Sequence, residues 1–150
     1  MWGLCRQRYA AESFSGEGSR LYGGRWSAVG VRMAYSSESR ALATLEVLAN
    51  ARDAQALFAL PWAMISASIP LDLIERPARV PDNWRDTPYR PETQVFGATW
   101  VRAARSAALR VPSTVVLGEF NYLLNPAHPD FAQITVGKPE SFDFDGRLKR

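Results

Sequence analysis

Apolar and polar positions alternate along this chain in two rhythms, and the rhythm changes several times. Residues 4–10 read as a short opening strand. Residues 13–30 hold five of the ten glycines and several serines, which predicts a loop, with Gly23-Gly24 as a strong turn signal. The same stretch carries Phe14, Tyr22 and Trp26, so the loop is expected to be ordered against something. Residues 31–36 begin with a β-branched residue, alternate, and predict a strand; Ser36 and Ser37 then offer an N-cap. Over 38–52 the spacing of Ala41, Leu42, Leu45, Leu48 and Ala49 predicts the clearest helix.

Strand period returns at 63–69, where Ala63, Ile65, Ala67 and Ile69 alternate with Met64, Ser66 and Ser68. Pro70, Pro77, Pro81, Pro88 and Pro91 then punctuate a long irregular connection, of the kind that binds something or covers an edge. A second helix is predicted over 92–109, with Phe96, Trp100, Val101 and Ala104 as its stripe. A buried strand is predicted over 111–117, a polar, turn-rich segment over 119–130, and final strands over 131–136 and 140–144. Helices and strands mix without regular alternation. This predicts a single α+β domain over residues 1–150, with a mixed or antiparallel β core and flanking helices. The glycine fingerprint of a dinucleotide-binding βαβ unit and the Walker phosphate loop are both missing.

Composition narrows the chemistry. The net charge is +3, too weak to demand a nucleic-acid partner. Only Lys138 and Lys149 are lysines, so nearly all the base is arginine, whose fork suits carboxylates and phosphates. An RNA-binding or RNA-cleaving role is the alternative that this arginine and the aromatics suggest, against which the arginines are dispersed. Cys5 is the only cysteine and His128 the only histidine, which argues against a Cys- or His-rich metal site and against two-histidine catalysis. Cys5 reads as a structural thiol, and His128, between two prolines, as a turn histidine. The most apolar run, 56–69, contains Pro61 and falls short of the roughly 20 residues of a membrane span. With no signal-like segment after Met1, the expected location is the cytoplasm.

Several residues carry candidate chemistry. Gly23-Gly24-Arg25-Trp26 lets backbone approach a ligand and presents a cation beside an indole. Tyr35 ends a predicted strand. Glu46 lies about 40° beyond the apolar stripe of the first helix, where a carboxylate faces either a cleft or a surface arginine. Ser113 opens a strand, and Asn121, Tyr122 and Asn125 lie in the polar segment.

Taken in order, Arg8-Tyr9, Phe14-Ser15-Gly16-Glu17-Gly18, Gly23-Gly24-Arg25-Trp26, Tyr35-Ser36, Ala43-Thr44-Leu45-Glu46, Val111-Pro112-Ser113, the run from Asn121 to Phe131, and Phe144-Asp145-Gly146-Arg147-Leu148 resemble the RES-domain family, the toxin half of RES–Xre toxin–antitoxin pairs. The resemblance spans essentially the whole chain and rests on order and spacing. It implies a fold similar to ADP-ribosyltransferase toxins and an activity that consumes NAD+ as a substrate, with no metal and no separate cofactor. Arg25, Glu46 and Ser113 match the arginine, glutamate and serine of the family name and are the expected catalytic residues. Arg8, Gly24, Trp26, Tyr35 and Asn121 are the expected substrate-binding set. In this reading Arg25 holds phosphates, Glu46 stabilises the developing positive charge, Tyr35 packs on the nicotinamide, and Ser113 fixes Glu46 or the ligand. Ser27 stands where the family commonly has Asn. The implied partner is an Xre-family antitoxin covering the cleft, with the Trp84, Arg85 and Tyr89 loop as a candidate contact. No membrane and no direct nucleic-acid contact are expected.

Overall fold

The computed structural model describes residues 1–51 and 53–149. In chain order the strands are β1 (Trp2–Arg6), β2 (Ala34–Ser37), β3 (Trp62–Ser68), β4 (Ile74–Glu75), β5 (Ala108–Pro112), β6 (Phe120–Leu124), β7 (Thr135–Val136) and β8 (Glu140–Phe142). The α-helices are α1 (Glu17–Tyr22), α2 (Arg40–Asn50), α3 (Ala54–Ala59) and α4 (Pro91–Ala103). The strands form one sheet in the order β4-β5-β6-β2-β1-β3-β7, with β8 added to β3. Every pairing is antiparallel except β4 with β5. This is the α+β class that the mixed pattern predicts.

Consecutive residues of the central strands feed different cores, as the two-residue period requires. Ala108 and Leu124 join Phe14, Ala34, Ala63 and Ile65 on one face. Leu109, Val111 and Leu123 join Trp26, Met33 and Trp100 on the other. β1 pairs with β3 over its whole length but meets β2 only at Trp2↔Ser37. Beyond that pair the two strands diverge, and α2 packs over both. The divergence opens a cleft lined by all three elements.

The structure departs from the sequence reading in several places, each for a local reason. β1 stops at Arg6, where its partner strand ends against Pro61, and residues 7–12 turn into a 3₁₀ helix. The predicted loop 13–30 contains α1, entered through Gly16 at φ 73 and stabilised by the Glu17–Arg20 pair. β2 begins only at Ala34, because the Val31 carbonyl and the Met33 amide are taken by Ser19 Oγ. α2 starts after Ser39, whose hydroxyl accepts from the Leu42 amide at 3.0 Å; Arg52, at the predicted end, lies outside the described residues. α3, capped by Asp53, and the short β4 are additional.

α4 ends at Ala103 rather than at 109, because Ala104 adopts φ 46 and the chain turns out to β5. β5 therefore occupies 108–112 rather than 111–117. The largest correction is β6, a buried central strand in the segment that reads as a polar loop. Residues 129–133 are a 3₁₀ turn, leaving only Thr135–Val136 of the strand predicted over 131–136, and β8 is shorter than the strand predicted over 140–144. Among the described residues no helix is long and apolar enough to cross a membrane.

Candidate active site

The cleft between β1, β2 and α2 has a volume of about 270 Å³. Ala43, Glu46, Val47 and Asn50, spaced along one face of α2, form one wall. Trp2 and Leu4 from β1, Tyr35 from β2 and Asn121 from β6 complete most of the rest.

Glu46 is half-buried at this cleft, and its Oε1 accepts two hydrogen bonds. Ser113 Oγ donates at 2.7 Å and Asn121 Nδ2 at 2.6 Å. Each donor is fixed in turn. Ser113 is buried, and its oxygen accepts from the Val115 and Val116 amides at 3.1 Å each. With both lone pairs occupied, its proton is directed at Glu46. Asn121 Oδ1 accepts from Ser37 Oγ at 2.7 Å. Among the described residues no donor reaches Glu46 Oε2.

The second half of the site is the turn from Gly24 to Ser27. It closes with Gly24 N–H to Ser27 O at 2.8 Å and Ser27 N–H to Gly24 O at 3.3 Å. Gln94 Nε2 on α4 donates to both carbonyls, at 3.1 and 3.2 Å. Tyr35 holds the turn from β2: its hydroxyl accepts from the Trp26 amide at 3.1 Å and shares a hydrogen bond with Ser27 Oγ at 2.9 Å. A Cβ at Gly24 would stand 2.9 Å from that hydroxyl, so glycine is required for the approach. Tyr35 lines the cleft and is 37% exposed as a residue, while its hydroxyl is enclosed by the turn. Burial pushes its pKa up to about 12, against the smaller opposing effect of the Ser27 and Trp26 hydrogen bonds.

Arg25, at the tip of the turn, donates from Nη1 to the carbonyls of Trp84 and Asp86, both at 2.8 Å. Its guanidinium carbon lies 5.7 Å from the Tyr89 ring centroid. Burial pulls the guanidinium below its ordinary pKa, and the Glu46 carboxylate, with Tyr89, Asp86 and Tyr35, acts against that pull. The long proline-rich connection is thus tied to the turn through Arg25.

Glu46, Ser113 and Asn121 are in direct contact, Tyr35 and Gly24 meet at the turn, and Arg25 is near enough to Glu46 to feel its charge. Two placements differ from the sequence reading. Trp26 is 3% exposed, its ring packed edge-on against Phe96 in the core, so it offers no open face for stacking and contributes its backbone amide. Arg8 lies in the exposed 3₁₀ turn with its guanidinium over Tyr9, and no hydrogen bond joins it to this cluster. Ser27, the departure from the common Asn, is fully buried and holds Tyr35.

Sequence reasoning missed Ser37, Gln94 and the cleft wall formed by Trp2, Leu4 and Val47. The partners of Ser37 become visible only once β6 is recognised, since Ser37 and Asn121 are cross-strand partners. His128 and Cys5 lie outside the Glu46 cluster. His128 Nε2 is 3.0 Å from Ala104 O while Nδ1 accepts from the Asp130 amide, and Cys5 packs against the core, where burial raises its thiol pKa. Among the described residues no three His, Cys, Asp or Glu side chains gather to hold a metal ion.

A chain in the crystal structure of the M. tuberculosis MbcT–MbcA toxin–antitoxin complex shares the fold, with a TM-score of 0.74 over 95% of this chain and 82% of that one, at 17% identity. A protein named Toxin Res from Yersinia enterocolitica is 35% identical over 99% of both chains. The Prs ADP-ribosylating toxin of a Sphingobium species is 34% identical over 95% of this chain and 90% of its own length. With the RES domain model matching residues 1–145 as well, the chain belongs to the RES domain family.

Proposed function

We propose that this chain is the toxin of a bacterial toxin–antitoxin pair and acts in the cytoplasm by consuming NAD+, cleaving the bond between nicotinamide and ribose. The observation that carries the reading is Glu46: a half-buried carboxylate at an apolar cleft, with both of its hydrogen-bond donors on Oε1. That arrangement orients the carboxylate and leaves Oε2 for a ligand. The names of the relatives, one of them an ADP-ribosylating toxin, support NAD+ as the substrate.

The chemistry follows from charge. Nicotinamide in NAD+ is a cationic ring bonded to ribose C1′. When the C1′–N bond breaks, its electron pair leaves with the ring, which becomes neutral, and positive charge develops on the ribose. A fixed carboxylate beside that carbon stabilises the charge without reorganising, which is the most effective form of electrostatic catalysis. Tyr35 and the apolar wall of Leu4, Ala43 and Val47 receive the departing ring. Arg25 supplies positive charge for the pyrophosphate from its remaining guanidinium N–H groups. Ser113 and Asn121 act on Glu46. The acceptor at C1′ is water, phosphate or a protein side chain.

An activity of this kind harms its host unless it is held in check, so the reading includes an Xre-family antitoxin over the cleft. The test is release of nicotinamide from NAD+ by the purified chain, in buffer with and without inorganic phosphate and with cell extract as a protein source. Free ADP-ribose, its 1-phosphate, or ADP-ribosylated protein identifies the acceptor. Absence of nicotinamide release under all three conditions refutes the proposal.

A further inference from the structure

We infer that Ser37 is a positioning residue for Glu46, acting through Asn121; this rests on the reading of Glu46 given above for its catalytic consequence, though not for its hydrogen-bond geometry. The inference comes from proton counting. An ionised carboxylate only accepts hydrogen bonds, so the Asn121 atom 2.6 Å from Glu46 Oε1 is the amide nitrogen. The carbonyl oxygen of the same amide then faces Ser37 Oγ at 2.7 Å, and Ser37 must be the donor. The opposite amide orientation would set two acceptors against each other at Glu46.

The fold makes this lock possible. Ser37 and Asn121 are directly opposed across β2 and β6, the separation that a short hydroxyl and an amide can bridge. Ser37 is also the residue at which β1 meets β2, at Trp2↔Ser37, so it sits where the cleft closes. It is 5% exposed, so water does not readily replace its hydroxyl. Its neighbour Ser36 is equally buried but donates to the Tyr122 carbonyl and does not touch Asn121. A one-residue slip in register would exchange the two serines and abolish the lock.

Among the described residues the charged and titratable groups facing Glu46 are Arg25 from the turn and Tyr35 from β2; substituting Ser37 removes neither. In Ser37→Ala the amide loses its restraint and Glu46 loses a steady donor. The experiment reads the Asn121 side-chain amide by NMR in the wild type, Ser37→Ala, Ser37→Thr and Ser36→Ala, with Asn121→Ala to assign the signal and nicotinamide release measured alongside.

The expected result is a pair of well-separated Asn121 amide proton signals in the wild type that move toward the free-amide position and broaden in Ser37→Ala. The wild-type signals return in Ser37→Thr, and Ser36→Ala leaves them in place. In nicotinamide release, kcat falls about tenfold in Ser37→Ala at little cost in KM and is restored in Ser37→Thr. Asn121 signals unmoved in Ser37→Ala, or an unchanged kcat in that variant of an active enzyme, overturn the inference. If the wild type releases no nicotinamide while the Asn121 signals behave as expected, the NAD+ reading fails and the assignment of Ser37 as the lock on the Asn121 amide survives.

Discussion

Replacing Gly97 with alanine should destabilise this protein sharply, against the usual preference of helices for alanine. Gly97 lies in the middle of α4, facing the turn that carries Arg25. A Cβ there would stand 1.8 Å from the Trp26 carbonyl oxygen, 2.9 Å from its carbon and 3.1 Å from the Met33 methyl. Helix and turn would have to part by roughly 1.5 Å before the first contact became ordinary. Parting them strains both Gln94 hydrogen bonds to the turn and loosens the core of Trp26, Met33 and Trp100. Overpacking costs about 1–3 kcal/mol, and each weakened hydrogen bond about 1 kcal/mol. Against this, alanine gains about 1 kcal/mol in helix propensity. The net loss is about 2–4 kcal/mol, or roughly 5–15 °C in melting temperature for a domain of this size. Gly18→Ala is the matched control: it also lies in a helix, but nothing stands within 4 Å of the Cβ it would gain. Urea unfolding should show Gly97→Ala less stable than the wild type and Gly18→Ala equal or slightly more stable. A Gly97→Ala protein as stable as the wild type would refute the close approach of α4 to the turn.

Other consequences are as direct. Arg25→Lys replaces a fork that reaches two carbonyls by a single ammonium; segment 80–90 should become more sensitive to limited proteolysis, and nicotinamide release should fall more than tenfold. Tyr35→Phe leaves Ser27 Oγ and the Trp26 amide short of a buried partner and should cost about 1–3 kcal/mol in denaturant unfolding. The same variant has a pH signature. Tyr35 ionises near 10 when unfolded and at about 12 when folded, so the unfolded state loses its proton first. The stability that Tyr35 contributes is therefore complete below pH 10 and is lost as pH rises to about 12. Alkaline unfolding of Tyr35→Phe should be less steep across that window, and an unchanged slope contradicts the burial of the hydroxyl. Ser113→Ala removes a donor from Glu46 and leaves the Val115 and Val116 amides without their acceptor; it should lower both nicotinamide release and stability.

The parts of this architecture legible in the sequence are those whose residue types keep a regular period. α2 shows a stripe, and β3 alternates in residue type although Trp62 to Ile65 are all buried, so both are found within a residue or two of their observed ends. β6 is hidden because its polar Asn121 faces the cleft, and the run that follows, from Tyr122 to Leu124, is buried on both faces and shows no alternation. The end of α4 is hidden because the Ala-rich run after Ala103 suits a helix by propensity, and only the φ of 46 at Ala104 turns it into the lead of β5. Glu46 was legible as a boundary position, and the convergence of Arg25, Ser113 and Asn121 was carried by family pattern. The hydrogen bonds that join Glu46, Ser113, Asn121 and Ser37 depend on strand register, which no local stretch of sequence encodes. Trp26 reads as a ligand platform because its neighbours are glycines, yet its indole packs in the core against Phe96, and Gly97 on α4 is the glycine that lets its backbone come close.

The central claim is that Glu46 acts on NAD+, and intracellular NAD+ after induced expression tests it most directly. Cells expressing the wild-type chain should lose NAD+ rapidly and stop growing. Cells expressing Glu46→Gln, which keeps the side chain's shape and removes its charge, should keep both, provided the variant accumulates as folded protein. Growth arrest with NAD+ unchanged, or a Glu46→Gln chain that depletes NAD+ as the wild type does, would contradict the account.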